Sequence, residues 1–244
     1  MKVIVFTSDK YLELLKDFSY LFNKHWGAEQ KVEVLGFTPP GFNLPDNFNF
    51  NSAGKQSDFP AGAFCQPFRP ILDAMDTEVF IFMIEDAFLI DTVDKNLLNK
   101  GLKLLEDKEA SKIELFLGAD YHYASALPFS EDFKVFPQDM DYRYTSCQCM
   151  VRKEYYFKYF NRPTIWQLEG DNIPLSKNDG HTLLVSRYKP IAPWLNVIDK
   201  GKFNSSQHAQ MLATPGERKF GWNKFQKLNE EEYEIFLKYK DWEA

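Results

Sequence analysis

The chain has 244 residues, of which 44% are hydrophobic and 26% are charged, the balance of an ordinary globular protein. Its formal net charge of −6 offers no basic surface for nucleic acid, so no nucleic-acid partner is expected. No window reaches the roughly 18 apolar residues that a membrane-spanning helix needs. The opening apolar run is too short for a signal peptide, and three cysteines, an odd number, argue against a disulfide framework. We therefore expect a cytoplasmic protein whose membrane contact is at most peripheral.

The first 36 residues predict a strand–helix–strand unit, the building block of a parallel sheet. Residues 3–6 form an apolar strand, and residues 31–36 form a second one with alternating valines. Between them, apolar residues recur at helical spacing from Leu12 to Phe22. Asp9 stands where an N-cap for that helix would be.

The rest of the chain continues to alternate predicted strands and helices. The further strands are predicted at residues 48–51, 79–84, 112–117, 144–151, 182–188 and 194–198. The further helices are predicted at residues 64–75, 94–107, 152–160 and 165–170, with a terminal helix that begins at the capping-box-like sequence from Asn229 to Glu232. No repeat or convincing linker divides the chain, so the pattern predicts one α/β domain.

The predicted strand at residues 79–84 is apolar throughout and stops at two adjacent acids, Glu85 and Asp86. Ligands of open α/β sheets bind just beyond the carboxyl ends of central strands. Carboxylates placed there can hold a divalent cation, which in turn neutralises the phosphates of a nucleotide. A second interpretation is that the two acids only open a turn or cap the next helix, and the spacing alone does not choose between the two.

Several stretches, taken in order, resemble bacterial and phage glycosyltransferases of the GT-A type, especially small sugar transferases of lipopolysaccharide or surface-glycan biosynthesis. The matching segments are the opening strand and turn Val3–Tyr11, the strand and acidic turn Phe82–Leu89, the strand–helix segment Gln148–Tyr155, the Trp-x-x-Glu block Trp166–Glu169, and the Gly-Lys-aromatic segment Lys200–Phe203.

The resemblance implies a GT-A-like (Rossmann-like) fold, with a mixed, mostly parallel sheet flanked by helices in a single domain over residues 1–244. Residues 1–118 would form the nucleotide-sugar-binding half and residues 119–244 the acceptor-side half, which ends in the C-terminal helix. The implied activity is transfer of a sugar from a nucleoside-diphosphate donor, such as a UDP- or GDP-sugar, to a glycan or lipid-linked acceptor.

The same resemblance suggests which residues bind the donor. Glu85 and Asp86 would hold Mg²⁺ or Mn²⁺ against the diphosphate, since these ions prefer oxygen ligands. The chain departs from the family here, because the usual Asp-x-Asp is replaced by two adjacent acids. Asp86 is then the best single contact for metal or ribose, and Asp91 could contribute only if the loop folds back. The other predicted donor contacts are Thr7, Ser8 and Asp9 for the base or ribose and Lys55, Arg69 and Lys202 for phosphate.

Glu169 is the predicted base if the transfer inverts configuration, with Asp171 as the reserve candidate. Trp166 would shape the sugar pocket and raise the carboxyl pKa of Glu169 by excluding water. The alternative interpretation makes Trp166 a core anchor and Glu169 an ordinary solvated helix residue.

Other functions are weighed against this one. The incomplete acidic motif is also compatible with a non-catalytic glycan- or nucleotide-binding protein that retains the fold. A nucleotidyltransferase would need a basic, Gly-rich opening loop, which the sequence lacks. The four histidines show no metal-ligand spacing, and His122, between two tyrosines, could at most contact an acceptor. Neither a phosphate-binding loop nor a nucleophile elbow is present.

Overall fold

The computed structural model describes residues 1–115, 125–145, 148–199, 201–205 and 230–242. The strands in these ranges are β1 (Lys2–Phe6), β2 (Val32–Gly36), β3 (Phe48–Ser52), β4 (Val79–Ile84), β5 (Ala87–Leu89), β6 (Lys112–Glu114), β7 (Leu127–Pro128), β8 (Phe133–Val135), β9 (Cys149–Arg152), β10 (Leu183–Ser186), β11 (Trp194–Asn196), β12 (Ile198–Asp199) and β13 (Lys202–Phe203). The helices are α1 (Leu14–His25), α2 (Cys65–Ala74), α3 (Lys95–Glu106), α4 (Lys153–Tyr159), α5 (Ile165–Gly170), α6 (Asn172–Leu175) and α7 (Glu230–Leu237), with short 3-10 turns at Asp9–Tyr11 and Gln56–Asp58.

Nine of these strands form one sheet in the order β3-β2-β1-β4-β9-β6-β10-β8-β7. The first four are parallel to one another, whereas β9 runs antiparallel to both of its neighbours, β4 and β6. The strand β8 is likewise antiparallel to its neighbours, so seven of the nine strands share one direction. The mixed, mostly parallel sheet flanked by helices that the sequence predicts is confirmed.

The apolar run of β4 is buried on both faces of the sheet, as its lack of alternation predicts. Ile81 and Met83 belong to a core cluster that also contains the apolar faces of α1, α3 and α7. Phe80 and Phe82 point to the other face, where the core is built with α2 and α4. The helices therefore cover both faces, and the ends of the central strands are left to form a binding edge.

Two further pairs of strands lie beyond that edge. The strand β5, which follows β4 after two residues, pairs antiparallel with β11, and β12 pairs with β13 in a hairpin. These pairings bring residues near position 200 to the carboxyl end of β4.

Helix boundaries follow local capping in two places where the sequence indicates them. The side chain of Asp94 accepts a hydrogen bond from the Leu97 N–H (2.9 Å) and caps α3. The hydroxyl of Thr164 accepts from the Gln167 N–H (3.2 Å) and caps α5, which has the predicted bounds.

Other local predictions are wrong. Asp9 does not cap the first helix: it lies inside a 3-10 turn preceded by Ser8, and α1 begins only at Leu14. The strand predicted at residues 144–151 begins at Cys149, and the strand predicted at residues 194–198 is divided between β11 and β12. Asn229, His122, Lys200 and the end of the strand predicted at residues 112–117 lie outside the described residues.

None of the helices in the described ranges combines the length and the apolar character needed to cross a membrane.

Candidate active site

A cavity of about 420 Å³ opens where the parallel strands β1 and β4 end, a size within the usual range for small-molecule sites. Residues that follow β1, β2 and β4 line it from the sheet, and residues of α5 and of the β11–β12 segment complete its walls. The residues that line it are Phe6, Thr7, Ser8, Tyr11, Phe37, Gln56, Gly62, Ala63, Phe64, Phe68, Ile84, Glu85, Asp86, Gln148, Ile165, Trp166, Glu169, Trp194, Asn196, Ile198 and Asp199.

Glu85 and Asp86 form the two-residue turn between β4 and β5. The backbone carbonyl of Asp86 accepts a hydrogen bond from the Val197 N–H (2.8 Å), which holds the turn against the end of β11. The acidic pair therefore makes a turn and also lines the cavity.

The Glu85 carboxyl is directed into the protein and is only 6% exposed. Burial, together with the neighbouring charge of Asp86, raises the pKa of Glu85 well above its usual range, while hydrogen bonds from the Thr7 hydroxyl and the Ser8 N–H oppose that rise. Glu85 thus joins the end of β1 to the end of β4, and its carboxyl is engaged by the protein itself.

The Asp86 carboxyl is in a different situation. Its Oδ1 is buried and has no hydrogen-bond partner among the described residues. Burial raises the pKa of Asp86 to about 7; a hydrogen bond from its own backbone opposes the rise, and the charge of Asp199 adds to it. Asp86 belongs to the cavity lining, and an unpaired carboxylate oxygen beside a cavity is suited to bind a cation or a ligand hydroxyl.

A short contact between distant segments holds α5 over the cavity. Ala63 and Thr164 form an isolated antiparallel bridge, and the Phe64 N–H donates to the Pro163 carbonyl (2.8 Å). The indole of Trp166 is 64% exposed, so the interpretation of Trp166 as a core anchor is wrong. Glu169, one helical turn later, is half-buried and lines the cavity.

Aromatic rings form the apolar part of the cavity wall. Phe6 packs against Phe64 and Phe68, with ring centroids 5.1 and 5.2 Å apart, and Phe37 packs on Phe68 at 5.1 Å. Tyr11 lies near the acidic turn, since burial and then the charges of Glu85 and Asp86 raise its pKa. The cavity therefore combines flat apolar surface with an acidic end.

The structure brings six of the predicted site residues to this cavity: Thr7, Ser8, Glu85, Asp86, Trp166 and Glu169. Asp9 does not line it. The carboxylate of Asp9 instead accepts hydrogen bonds from the backbone N–H (2.8 Å) and hydroxyl (3.0 Å) of Thr38, and so fixes the loop after β2.

The predicted basic contacts lie outside the cavity lining as well. Arg69 is engaged elsewhere: it pairs with Asp73 (3.0 Å) and its guanidinium lies 3.8 Å from the ring centroid of Phe157. Lys55 is exposed at the start of a 3-10 turn. Lys202 is exposed in the β12–β13 hairpin, opposite Asp199.

The two reserve acids are also placed away from the cavity lining. Asp171 lies 3.2 Å from the guanidinium of Arg162 in an ion pair. Asp91 accepts a hydrogen bond from the Thr92 N–H (2.7 Å), and its loop does not fold back to the acidic turn.

Sequence reasoning did not assign a role to five polar residues of the lining: Tyr11, Gln56, Gln148, Asn196 and Asp199. A signal existed for the last two, because Asn196 and Asp199 interrupt an otherwise apolar segment that begins at Trp194. Gln148 is a polar residue beside a buried apolar strand, which is a weaker signal.

The carboxylates of the cavity suit a metal ion that is also coordinated by a bound ligand. Among the described residues, no three His, Cys, Asp or Glu side chains are grouped so as to hold a metal by themselves. Mg²⁺ and its analogues are commonly bound through one or two carboxylates plus substrate phosphates. The unpaired Oδ1 of Asp86, with Asp199 nearby, fits that arrangement.

No family model and no curated protein matches the chain. Among solved structures, it is similar to S. aureus TarS at 13% identity and a TM-score of 0.50, over 86% of this chain and 38% of that one. It is also similar to the mannosyltransferase PcManGT from Pyrobaculum calidifontis, solved in complex with GDP-Man and Mn²⁺, at 12% identity and a TM-score of 0.51, over 86% of this chain and 61% of that one.

The chain thus spans less than two thirds of either protein, and identities this low show the fold alone. With its sheet order and its flanking helices, the chain has the GT-A-like fold that its sequence predicts.

Proposed function

We propose that this chain is a glycosyltransferase that moves a sugar from a nucleoside-diphosphate donor to a glycan or lipid-linked acceptor, with inversion at the anomeric carbon. One observation carries the proposal. Asp86, with an unpaired carboxylate oxygen at the end of a central strand, and Glu169, on a separate helix, line the same cavity.

The donor would lie along the strand ends. Tyr11 and Phe37, both in the cavity lining, would lie next to the nucleobase, and Thr7 and Ser8 would lie beside the ribose. The diphosphate would lie beside Asp86. Asp86 and Asp199 would hold Mg²⁺ or Mn²⁺, which when bound supplies positive charge to the leaving diphosphate.

The chemistry needs one base. Glu169 would take the proton of the acceptor hydroxyl while the hydroxyl oxygen forms a bond to the anomeric carbon. The bond between that carbon and the diphosphate oxygen breaks, and the diphosphate leaves with the electron pair. Trp166 would present its exposed indole face to the acceptor sugar.

The comparisons support the class of donor but do not identify it. The structure of the mannosyltransferase is a complex with GDP-Man and Mn²⁺, which is the pairing of nucleotide sugar and metal proposed here. A donor-binding half at residues 1–118, an acceptor-side half at residues 119–244 and a cytoplasmic location belong to the same proposal.

The test is a thermal-unfolding screen with UDP and GDP, each with MnCl₂ or with EDTA. We expect one nucleotide with Mn²⁺, at about 100 times its Kd, to stabilise the protein by about 2.7 kcal/mol, or roughly 5–10 °C for a chain of this size. Asp86→Asn should abolish the shift because it removes the charge at the metal. Asp91→Asn, five residues away and outside the cavity, should leave it intact.

A second measurement separates catalysis from binding. Glu169→Gln should retain the nucleotide shift and lower sugar transfer by about 10²–10⁴-fold, the usual contribution of a general base. Asp171→Asn should change neither. The absence of any shift with either nucleotide would contradict the proposal, and a shift without transfer to any acceptor tested would favour the non-catalytic binding protein.

A further inference from the structure

The cavity lining contains a glutamine whose side-chain amide makes no hydrogen bond within the described part of the protein. Gln148 immediately precedes β9 and is fully buried, and neither its Nε2 nor its Oε1 has a hydrogen-bond partner among the described residues. Its backbone is fixed in place, since its carbonyl accepts a hydrogen bond from the Leu115 N–H (3.1 Å). Gln148 belongs to the cavity lining, so its buried amide keeps an unpaired donor and an unpaired acceptor next to the cavity.

Such an arrangement destabilises the protein unless a ligand completes it, because a buried amide without partners loses its hydrogen bonds to water and gains none. Two other glutamines in the described part of the chain have partners for their amides. Gln138 donates from Nε2 to the His181 carbonyl (2.9 Å) and accepts at Oε1 from the Gly180 N–H (3.2 Å). Gln56, in the same cavity as Gln148, accepts from the Asp9 N–H (2.9 Å).

The order of the strands gives Gln148 a definite place along the ligand. Neighbouring strands β2, β1, β4 and β9 bring Phe37, Thr7, Asp86 and Gln148, in that order, to one edge of the sheet. Three strand spacings of about 4.8 Å make this row about 14 Å long. A nucleoside diphosphate sugar also has three parts in a row, and a base at Phe37 with a diphosphate at Asp86 leaves the sugar at Gln148.

We propose that Gln148 recognises the donor sugar, with Nε2 donating to one hydroxyl and Oε1 accepting from its neighbour. The sugar at this position then carries two adjacent free hydroxyl groups. This inference rests on the proposed function and goes beyond it, because it assigns the part of the site that selects the sugar.

The experiment compares Gln148→Met, a substitution of similar volume, with the wild-type chain by titration calorimetry in MnCl₂. The probes are UDP and GDP alone, and UDP-glucose, UDP-galactose and GDP-mannose. We expect the variant to bind the preferred nucleotide within twofold of wild type. Its affinity for the corresponding nucleotide sugar should fall about 10- to 30-fold, the loss expected for two neutral hydrogen bonds.

A ligand-free measurement with a matched control accompanies it. Gln148→Met removes two unpaired buried atoms and should raise the Tm, whereas Gln138→Met breaks two hydrogen bonds and should lower it. Equal losses for the nucleotide and the nucleotide sugar, or no loss for either, would overturn the inference while leaving the proposed function standing. A lower Tm for Gln148→Met would also overturn it. If the wild-type chain binds no nucleotide, the proposed function fails and the inference fails with it.

Discussion

At the scale of single residues, Glu85 and Asp86 show how two neighbouring acids in one turn take different roles. The Glu85 carboxyl accepts hydrogen bonds from Thr7 and Ser8, so it links the end of β4 to the end of β1. The Asp86 Oδ1 has no such partner among the described residues. The difference lies in the surroundings of each carboxyl, because the end of β1 supplies hydrogen-bond donors to Glu85. Only one of the two acids is therefore free to meet a ligand.

The raised pKa of Asp86 predicts how stability changes with pH. Folding lifts this pKa from an ordinary value of about 3.9 to about 7, so between those values the folded state holds a proton that the unfolded state has lost. The free energy of unfolding then falls as pH rises from about 4 to about 7, by at most about 1.4 kcal/mol per pH unit. Because the Asp86→Asn side chain does not ionise, the free energy of unfolding of this variant should not show the same fall.

Urea unfolding in EDTA at pH 4.5 and pH 8 measures the effect. We expect Asp86→Asn and wild type to be similar at pH 4.5, and the variant to be more stable by on the order of 2–4 kcal/mol at pH 8. Asp91→Asn, outside the cavity, is the control and should follow wild type. A difference between Asp86→Asn and wild type that is the same at both pH values would contradict this account.

At the scale of secondary-structure elements, the close packing of β2 on β1 sets the position of Thr7. Gly36 ends β2, and a Cβ built on it would lie 2.7 Å from the Thr7 Cγ2 and 2.6 Å from the Phe50 ring. Thr7 is buried, and its backbone N–H is held by the Leu35 carbonyl (2.9 Å). The glycine therefore allows two strand ends to approach each other at the edge where the cavity opens.

Gly36→Ala should lower the free energy of unfolding by about 1–3 kcal/mol, as overpacking in a dense interior does. It should also weaken nucleotide binding, because the added methyl displaces Thr7 from the cavity wall. Urea unfolding and calorimetric titration check the two effects. Gly41→Ala, where a Cβ would meet nothing within 4 Å, provides the control. Wild-type stability and nucleotide affinity in Gly36→Ala would contradict this account, because they would show that the sheet accommodates the added methyl group.

Elements with a strong local signal could be predicted from the sequence, and contacts between distant elements could not. The apolar run of β4 and the capped helix α5 have their predicted bounds because their own residues determine them. The local pattern predicts an N-cap role for Asp9, yet its carboxylate binds Thr38, 29 residues away. Asp199 approaches the acidic turn through the pairing of β5 with β11, and no local pattern specifies which strands will pair.

At the scale of the whole molecule, the C-terminal helix α7 supports the acidic turn from behind. Phe236 packs on Phe88 of β5, with ring centroids 5.6 Å apart. Phe88 lies two residues after Asp86. The Tyr239 hydroxyl donates to the Asp17 carboxylate on α1 (2.7 Å). The last described segment of the chain is thereby attached to the part that carries the candidate metal ligand.

Phe236→Ala should destabilise the protein by about 3–5 kcal/mol, since Phe236 is only 1% exposed and its loss leaves a cavity. Nucleotide binding should weaken as well, because β5 loses part of its support. Glu234→Ala, an exposed position on the same helix, should change neither quantity. Thermal unfolding with and without nucleotide makes the comparison, and a Phe236→Ala variant with wild-type nucleotide affinity would show that the helix acts on stability alone.

The position of β9 has a consequence for the order in which the chain can assemble during synthesis. Cys149–Arg152 fit between β4 and β6, which are both made earlier, and among the described strands β6 is joined to β4 only through β9. A nascent chain that ends before residue 149 therefore has an apolar strand edge with nothing paired to it, the kind of surface that chaperones cover and that aggregation exploits. Insertion of β9 closes that edge and carries Gln148 into the cavity wall in the same step.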